Sequence, residues 1–169
     1  MKKRNLSGEE NRKNVSSVKN EEYAQKLKRM IDCKTVFTRN GENRSEYEKF
    51  YSVLKESFPL ISEKAEKLVF GDGCFVYVIR GRNAEKNIML MSHHDVVEGD
   101  DSWETDPFNA VIKDDALWGR GTIDTKTPLF AQLQACEELL SEGYGFEGVN
   151  VYIGSSDNEE VCGEGMVLA

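Results

Sequence analysis

The stretch I-M-L-M-S-H-H-D-V-V at residues 88–97 is the most informative part of this chain. Its four leading apolar residues predict a buried strand. That strand ends in the only two histidines of the chain, His93 and His94, which Asp95 follows. In open α/β sheets, ligands bind at the carboxyl ends of the strands. The stretch therefore predicts a polar site at a sheet edge.

Side chains alternate between the two faces of a strand, so His93 and Asp95 are expected on one side and His94 on the other. An imidazole with a carboxylate beside it is typical of a metal ligand that is held in a fixed orientation. On this motif alone, a pair of surface histidines at a strand end remains an equally valid interpretation.

Two further polar segments lie where ligand-binding loops are expected. Asp124 lies in the glycine-bearing segment 119–126, although a carboxylate between Arg120 and Lys126 could simply be ion-paired. Glu159 and Glu160 follow an apolar run at 149–154. One of two adjacent glutamates can bind a cation while the other acts as a general base, but an acidic loop is more often a solvated surface.

Taken together, the three segments supply imidazole and carboxylate donors, which suit zinc or a similar divalent ion. The set contains no thiolate, which argues against a purely structural zinc site. The cysteines show no C-x-x-C spacing, and Cys162 is interpreted as a packing residue.

The hydrophobic pattern predicts an α/β fold in which a layered sheet is flanked by helices. Residues 1–20 are predicted to be a flexible polar tail, and 21–169 to form one domain. The strands at 74–80 and 87–92 are expected to be hairpin-connected neighbours. The other predicted elements are helices at 20–31, 45–57 and 128–142, strands at 64–70 and 149–154, a small hairpin at 111–118, and a helix that opens at about 163.

Composition narrows the class of protein. The formal net charge of −8 argues against nucleic acid and against an anionic membrane surface as partners. The polar N-terminus has no secretory pattern, so the chain is expected to be cytoplasmic with its four cysteines reduced.

Three motifs in this order resemble the dinuclear zinc aminoacylase/carboxypeptidase family, which includes carboxypeptidase S, glutamate carboxypeptidase and succinyl-diaminopimelate desuccinylase. They are S-H-H-D-V-V at 92–97, W-G-R-G-T-I-D-T-K at 118–126 and S-D-N-E-E-V-C-G at 156–163. The segment W-E-T-D-P-F-N-A at 103–110 is similar to the carboxypeptidase S-like branch. The resemblance covers residues 21–169 and implies a zinc-exopeptidase-like catalytic domain.

The resemblance also implies residue roles. His93, Asp124 and Glu160 would be metal ligands, with Asp124 bridging two Zn²⁺ ions, for which Co²⁺ or Mn²⁺ could substitute. Asp95 would orient His93, and Glu159 would be the general base that activates water. His94 occupies the variable position of H-x-D and inherits no role. The implied reaction is hydrolysis of an amide bond in a dipeptide, short peptide or N-acyl amino acid.

The chain departs from the family pattern in two residues and in length. Thr127 and Cys162 stand where the family usually has glycine. Family members are about twice this size or more, and supply a further acidic ligand, a late histidine and a lid domain that often forms a homodimer. The chain is therefore expected to be an incomplete N-terminal portion, either a truncated product or one part of a split protein. The alternatives are an inactive truncated remnant, a fragment that binds a partner through an exposed sheet edge without catalysis, and a module that binds metal without hydrolysis.

Overall fold

The structure, a computed structural model, describes residues 8–169, with side chains from Val18 onward. It is an α/β fold in which helices flank a four-stranded sheet, as the sequence predicts. The helices are α1 (Gly8–Ile31), α2 (Arg44–Ser57), α3 (Pro59–Lys64) and α4 (Lys126–Ser141). The strands are β1 (Glu66–Phe70), β2 (Cys74–Ile79), β3 (Lys86–His93), β4 (Val111–Lys113), β5 (Ala116–Trp118) and β6 (Val149–Ser156).

The main sheet has the strand order β1-β2-β6-β3. β6 therefore lies between β2 and β3, and the prediction that these two strands form a hairpin is wrong. β2 pairs with β6 in the antiparallel sense, whereas β3 pairs with it in parallel. Because α4 separates β3 from β6 in the chain, it supplies the crossover that a parallel pair requires. The carboxyl ends of β3 and β6 consequently meet at one edge, where His93 lies opposite Ser156.

β3 is the edge strand of the sheet, and most of it is exposed. The apolar run had predicted a buried strand, but Ile88, Met89 and Met91 are 48%, 44% and 59% exposed. Within the described chain β3 has a neighbour on one side only, so burial begins at its last residue, His93.

The hydrophobic core lies between the helices and the sheet. The predicted apolar stripes of α1, α2 and α4 face this core, for example with Met30, Phe50 and Leu133, each of them fully buried. α1 begins at Gly8, so it extends well into the segment predicted as a tail, while residues 1–7 lie outside the described part of the chain. α3 was not predicted, and its first turn is held by the Glu137 carboxylate, which accepts hydrogen bonds of 2.9 Å from two of its backbone N–H groups.

Other predictions concern shorter features. The small hairpin forms as β4 and β5. Glu159–Val161 forms a single 3-10 turn, and the described residues after Gly163 form turns rather than the expected helix. All four cysteines are free thiols, and Cys162 is exposed, so its interpretation as a packing residue is wrong. Within residues 8–169, no helix is both long and apolar enough to cross a membrane.

Candidate metal centre

The three predicted metal ligands come together although they are far apart in the chain. His93 ends β3, Asp124 lies in the loop before α4, and Glu160 lies in the 3-10 turn after β6. One donor atom from each of these side chains lies within 4.8 Å of the other two. The parallel pairing of β3 with β6 is what brings the first and the last of them to the same edge.

Contacts with Asp95 fix the orientation of the His93 ring. Its Nδ1 lies 3.1 Å from the backbone oxygen of Asp95 and 3.4 Å from Oδ1 of the same residue. Two acceptors at this nitrogen assign it the proton, which leaves Nε2 to face the site. Nε2 lies 3.0 Å from Oδ1 of Asp124 and 3.5 Å from Oε2 of Glu159.

Asp95, which contacts this ring, is fully buried. Its Oδ2 accepts a hydrogen bond of 2.9 Å from the backbone N–H of Glu160. Its Oδ1 is buried without a conventional hydrogen bond among the described residues, so its nearest polar neighbour is the His93 ring. The carboxylate therefore contacts both the imidazole and the segment that carries Glu160.

Asp124 projects into solvent with 74% of its side chain exposed. Its only ion-pair contact among the described residues is with His93, so the suggested pairing with Arg120 or Lys126 does not occur. Lys126 points away from the site into the core, where Nζ donates hydrogen bonds to the carbonyls of Met30 (3.1 Å) and Cys33 (2.7 Å) at the end of α1. Burial lowers the pKa of this amine to about 7.

The protonation of His93 reflects the charges around it. Burial disfavours the imidazolium, but the hydrogen bonds and negative charge of Asp95, together with Asp124, outweigh that effect and raise the pKa of His93 to about 9. Burial and the surrounding carboxylates raise the pKa of Glu160, while His93 opposes that shift. The pKa values of His93 and Glu160 are thus both raised in part by the carboxylates that lie close together here.

These residues fit a divalent cation. The Nε2 lone pair of a neutral His93 faces two carboxylates, an arrangement that requires either a proton or a cation between the groups. Two ligands of a tetrahedral zinc ion, with bonds of about 2.0–2.1 Å, lie roughly 3.3 Å apart. The separation of 3.0 Å between Nε2 of His93 and Oδ1 of Asp124 is close to that value. A cation held by these residues would take the place of a proton on Nε2, so its binding would release a proton.

A cleft of about 660 Å³ opens directly over these groups. His93, Asp124 and Glu159 line one part of it. Met91 and Met166 line another part with apolar surface. The Glu159 side chain is 60% exposed and lies on the cleft side of the His93 ring, within reach of any molecule that occupies the cleft.

Sequence reasoning missed the contacts that support the site from behind. His94, which inherits no role from the resemblance, is completely buried, and its ring stacks on Phe50 with centroids 5.1 Å apart. Thr35 donates a hydrogen bond to the backbone oxygen of His94, and its own carbonyl accepts one from Tyr47. The helical spacing of aromatic residues on α2 predicts an apolar face, but nothing in it indicates a histidine partner.

Comparisons with known proteins show which sequences this chain resembles. Residues 89–169 match the model of peptidase family M20/M25/M40. The chain is 32% identical over 149 residues to probable carboxypeptidase S-like 2 of Dictyostelium discoideum, a match that covers 84% of this chain and 28% of that protein. It is also 32% identical over 156 residues to N-fatty-acyl-amino acid synthase/hydrolase PM20D1.1 of Danio rerio, covering 89% of this chain and 30% of that protein. The chain thus spans less than a third of the length of these two relatives.

Solved structures share the fold. Human carnosine dipeptidase 1 superimposes with a TM-score of 0.72 at 19% identity, covering 88% of this chain and 34% of that one. The M20 family metallo-carboxypeptidase Sso-CP2 from Sulfolobus solfataricus gives a TM-score of 0.67 at 23% identity, covering 82% of this chain and 31% of that one.

Proposed function

Because residues 89–169 match the model of peptidase family M20/M25/M40, we propose that the chain belongs to this family and is part of a metal-dependent hydrolase that cleaves amide bonds. The observation that carries the proposal is the convergence of His93, Asp124 and Glu160 beside the cleft. One donor atom from each of the three would bind the cation.

Each of these residues has a distinct task in the proposed site. His93 supplies a neutral nitrogen donor through Nε2, because Asp95 holds the proton on Nδ1. Asp124 would supply its exposed carboxylate as a ligand shared by two ions, and Glu160 would supply a further oxygen. Zn²⁺, or Co²⁺ or Mn²⁺ in its place, would polarise the substrate carbonyl and make a nearby water molecule more acidic.

Glu159 is the proposed general base. Its carboxylate lies 3.5 Å from the His93 ring and remains 60% exposed, so it can accept a proton from a water molecule in the cleft. It can then deliver that proton to the departing amine. No pairing with a lysine or arginine holds this carboxylate within the described part of the chain, which leaves it free for proton transfer.

The proposed substrates are dipeptides, short peptides and N-acyl amino acids. The support is the chain's similarity to a probable carboxypeptidase S-like protein and to an N-fatty-acyl-amino acid synthase/hydrolase. Met91 and Met166 give the cleft an apolar wall beside the donors, which suits an uncharged acyl or side-chain group next to the scissile bond.

The test uses the protein encoded by the complete reading frame that contains this chain. We expect chelator-sensitive release of free amino acid from dipeptide or N-acyl amino acid substrates. Glu159→Gln should retain the bound metal but lose nearly all turnover, because the amide cannot accept the proton. Metal content is measured in the same samples. A Glu159→Gln protein that hydrolyses these substrates at the parent rate excludes the proposed role.

The free edge of β3 favours a second candidate function, in which this chain is a non-catalytic unit that binds a partner by strand addition. Ile88, Met89 and Met91 are exposed along an edge whose backbone has no neighbouring strand in the described chain. Exposed edges of this kind pair readily with another strand.

The two functions predict different effects of Met91→Lys in the isolated chain. A charge at the edge should abolish concentration-dependent association, measured by light scattering, if the edge binds a strand. The same change should leave metal affinity at the parent value, since the Met91 side chain is not among the metal donors. Association that persists in Met91→Lys argues against strand addition at β3.

A further inference from the structure

We propose that His94 is a positioning residue, which holds the ends of β3 and β6 together so that the metal donors on both strands keep their relative places. This inference rests on the proposed metal site but concerns a residue that contributes no donor to it. His94 lies immediately after the ligand His93, and its side chain occupies the opposite side of the strand end, inside the core.

Both nitrogens of the His94 ring have partners on other elements. Nδ1 lies 2.8 Å from Oγ of Ser155, the penultimate residue of β6. Nε2 lies 3.3 Å from the hydroxyl of Tyr51, on α2. Phe50 and Phe75 stack against the ring with centroid separations of 5.1 and 5.3 Å, so the imidazole has little freedom to tilt. Burial lowers the pKa of His94 well below its ordinary value, which is consistent with a neutral ring.

The backbone of His94 is held as firmly as its ring. Its N–H donates a hydrogen bond of 2.8 Å to the carbonyl of Ser156, and its carbonyl accepts one from the Thr35 hydroxyl. All four polar groups of the residue are therefore satisfied, and two of them are satisfied by the last two residues of β6. Buried groups with complete hydrogen bonding fix one conformation, because any displacement leaves a polar atom without a partner.

These contacts complete a clamp across the two strand ends. On the cleft side, the Asp95 carboxylate joins the end of β3 to the backbone N–H of Glu160. On the core side, His94 joins the same strand end to Ser155. His93 directly precedes His94 and Asp95 in the chain, and Glu160 lies five residues beyond Ser155. Loss of the core-side joint should let the two ligands separate while the fold survives on its apolar packing.

The test measures Co²⁺ binding to the chain by visible absorption, together with thermal unfolding, in variants that separate stacking from hydrogen bonding. His94→Phe retains the aromatic packing but loses both ring hydrogen bonds. His94→Asn retains an amide near the position of Nδ1, but leaves a cavity in the aromatic cluster. Ser155→Ala removes the β6 partner and leaves the cluster intact.

If His94 positions the ligands, the His94 variant with the higher thermal stability is the one with the lower Co²⁺ affinity. His94→Phe should unfold at a higher temperature than His94→Asn, because it fills the aromatic cluster, but should bind Co²⁺ about tenfold more weakly than the parent, the lower end for loss of a residue that supports a ligand. His94→Asn should unfold at a lower temperature yet bind Co²⁺ more tightly than His94→Phe. Ser155→Ala should bind Co²⁺ with the same affinity as His94→Phe. The double variant that carries both substitutions should lose no further affinity.

The contrary outcomes are equally distinct. If affinity follows thermal stability across the three variants, or if His94→Phe binds Co²⁺ like the parent, His94 has only a packing role. If the parent chain itself binds no Co²⁺, the proposed metal site fails, and this inference fails with it.

Discussion

The buried carboxylate of Asp95 accepts a hydrogen bond of 2.9 Å from the backbone N–H of Glu160, while its other oxygen lies 3.4 Å from the His93 ring. One side chain thus contacts two of the three residues proposed as metal ligands. Asp95→Ala should weaken Zn²⁺ binding by about 10- to 100-fold, because residues that hold ligands in place contribute that much to affinity. Calorimetric titration of the chain measures the change.

Asp101→Ala is the matched control for that experiment, since Asp101 is an exposed carboxylate in the loop beyond this strand. It should bind Zn²⁺ like the parent chain. Asp95→Asn should lie between the parent and Asp95→Ala, because the amide oxygen still accepts from Glu160 but carries no charge. Equal affinities for Asp95→Ala and the control would show that Asp95 does not support the site.

Cys162 adopts a left-handed backbone conformation with φ of 54° at the end of the 3-10 turn. Glycine is the residue that adopts this conformation without a steric penalty, which explains why the resemblance places glycine here. Cys162→Gly should stabilise the chain by about 0.5–1 kcal/mol, since relief of strain exceeds the added entropy of the unfolded state. Urea denaturation of the variant measures this gain.

Cys162→Ala provides the control, because alanine has the same left-handed penalty as cysteine and the side chain is exposed. Its unfolding midpoint should stay at the parent value. A gain of the same size in both variants would mean that the thiol, rather than the backbone conformation, reduces stability.

Lys126 anchors the start of α4 to the end of α1 through the carbonyls of Met30 and Cys33. Lys126→Met fills a similar volume but removes one hydrogen bond from each carbonyl, which then accepts only from the backbone N–H of Cys33 or Thr35. We expect a loss of about 1–3 kcal/mol in unfolding free energy, from two lost hydrogen bonds at about 0.5–1.5 kcal/mol each. The exposed Lys113→Met should change stability little. An unchanged midpoint in Lys126→Met would contradict this role.

Tyr23 on α1 donates a hydrogen bond to the Glu138 carboxylate on α4. This bond, and further contacts with Gln134 and Lys19, lower the pKa of Glu138 below its usual value of about 4.5. A carboxyl group whose pKa is lower in the folded state stabilises the fold fully above its unfolded pKa, and that stabilisation is lost as the pH falls through the folded value.

Tyr23→Phe should therefore cost about 0.5 kcal/mol at pH 7, the low end for a hydrogen bond because the carboxylate is partly exposed. The difference from the parent should shrink as the pH is lowered below 4.5, the usual pKa of Glu138. Denaturation curves at several pH values check this, and a constant difference across the range would contradict the linkage.

The sequence was sufficient to predict the α/β class, most of the elements and the three donor segments, because hydrophobic periodicity and the motifs are local signals. The position of β3 was not predictable in this way. Its apolar run resembles that of a strand with neighbours on both sides, and only the pairing of distant segments decides that β6 separates it from β2. Parallel pairing joins segments that lie far apart in the chain, and no local sequence pattern encodes which segments pair.

Local sequence patterns also do not predict the side-chain contacts in the interior around the site. Lys126 looked like a partner for Asp124 two residues away, yet it turns to carbonyls on α1. His94 looked like a bystander, yet its ring contacts α2, β2 and β6. Both interpretations failed because the direction of a side chain at an element's end depends on the tertiary neighbours available to it.

The central claim is that His93, Asp124 and Glu160 together bind a divalent cation, and Asp124→Ala tests it most directly. The Asp124 side chain is 74% exposed, so its removal should leave the fold intact. The account predicts that Zn²⁺ affinity, measured by calorimetry, falls at least about tenfold in Asp124→Ala while thermal stability without metal is unchanged. Equal Zn²⁺ affinity in the parent chain and in Asp124→Ala would contradict the claim.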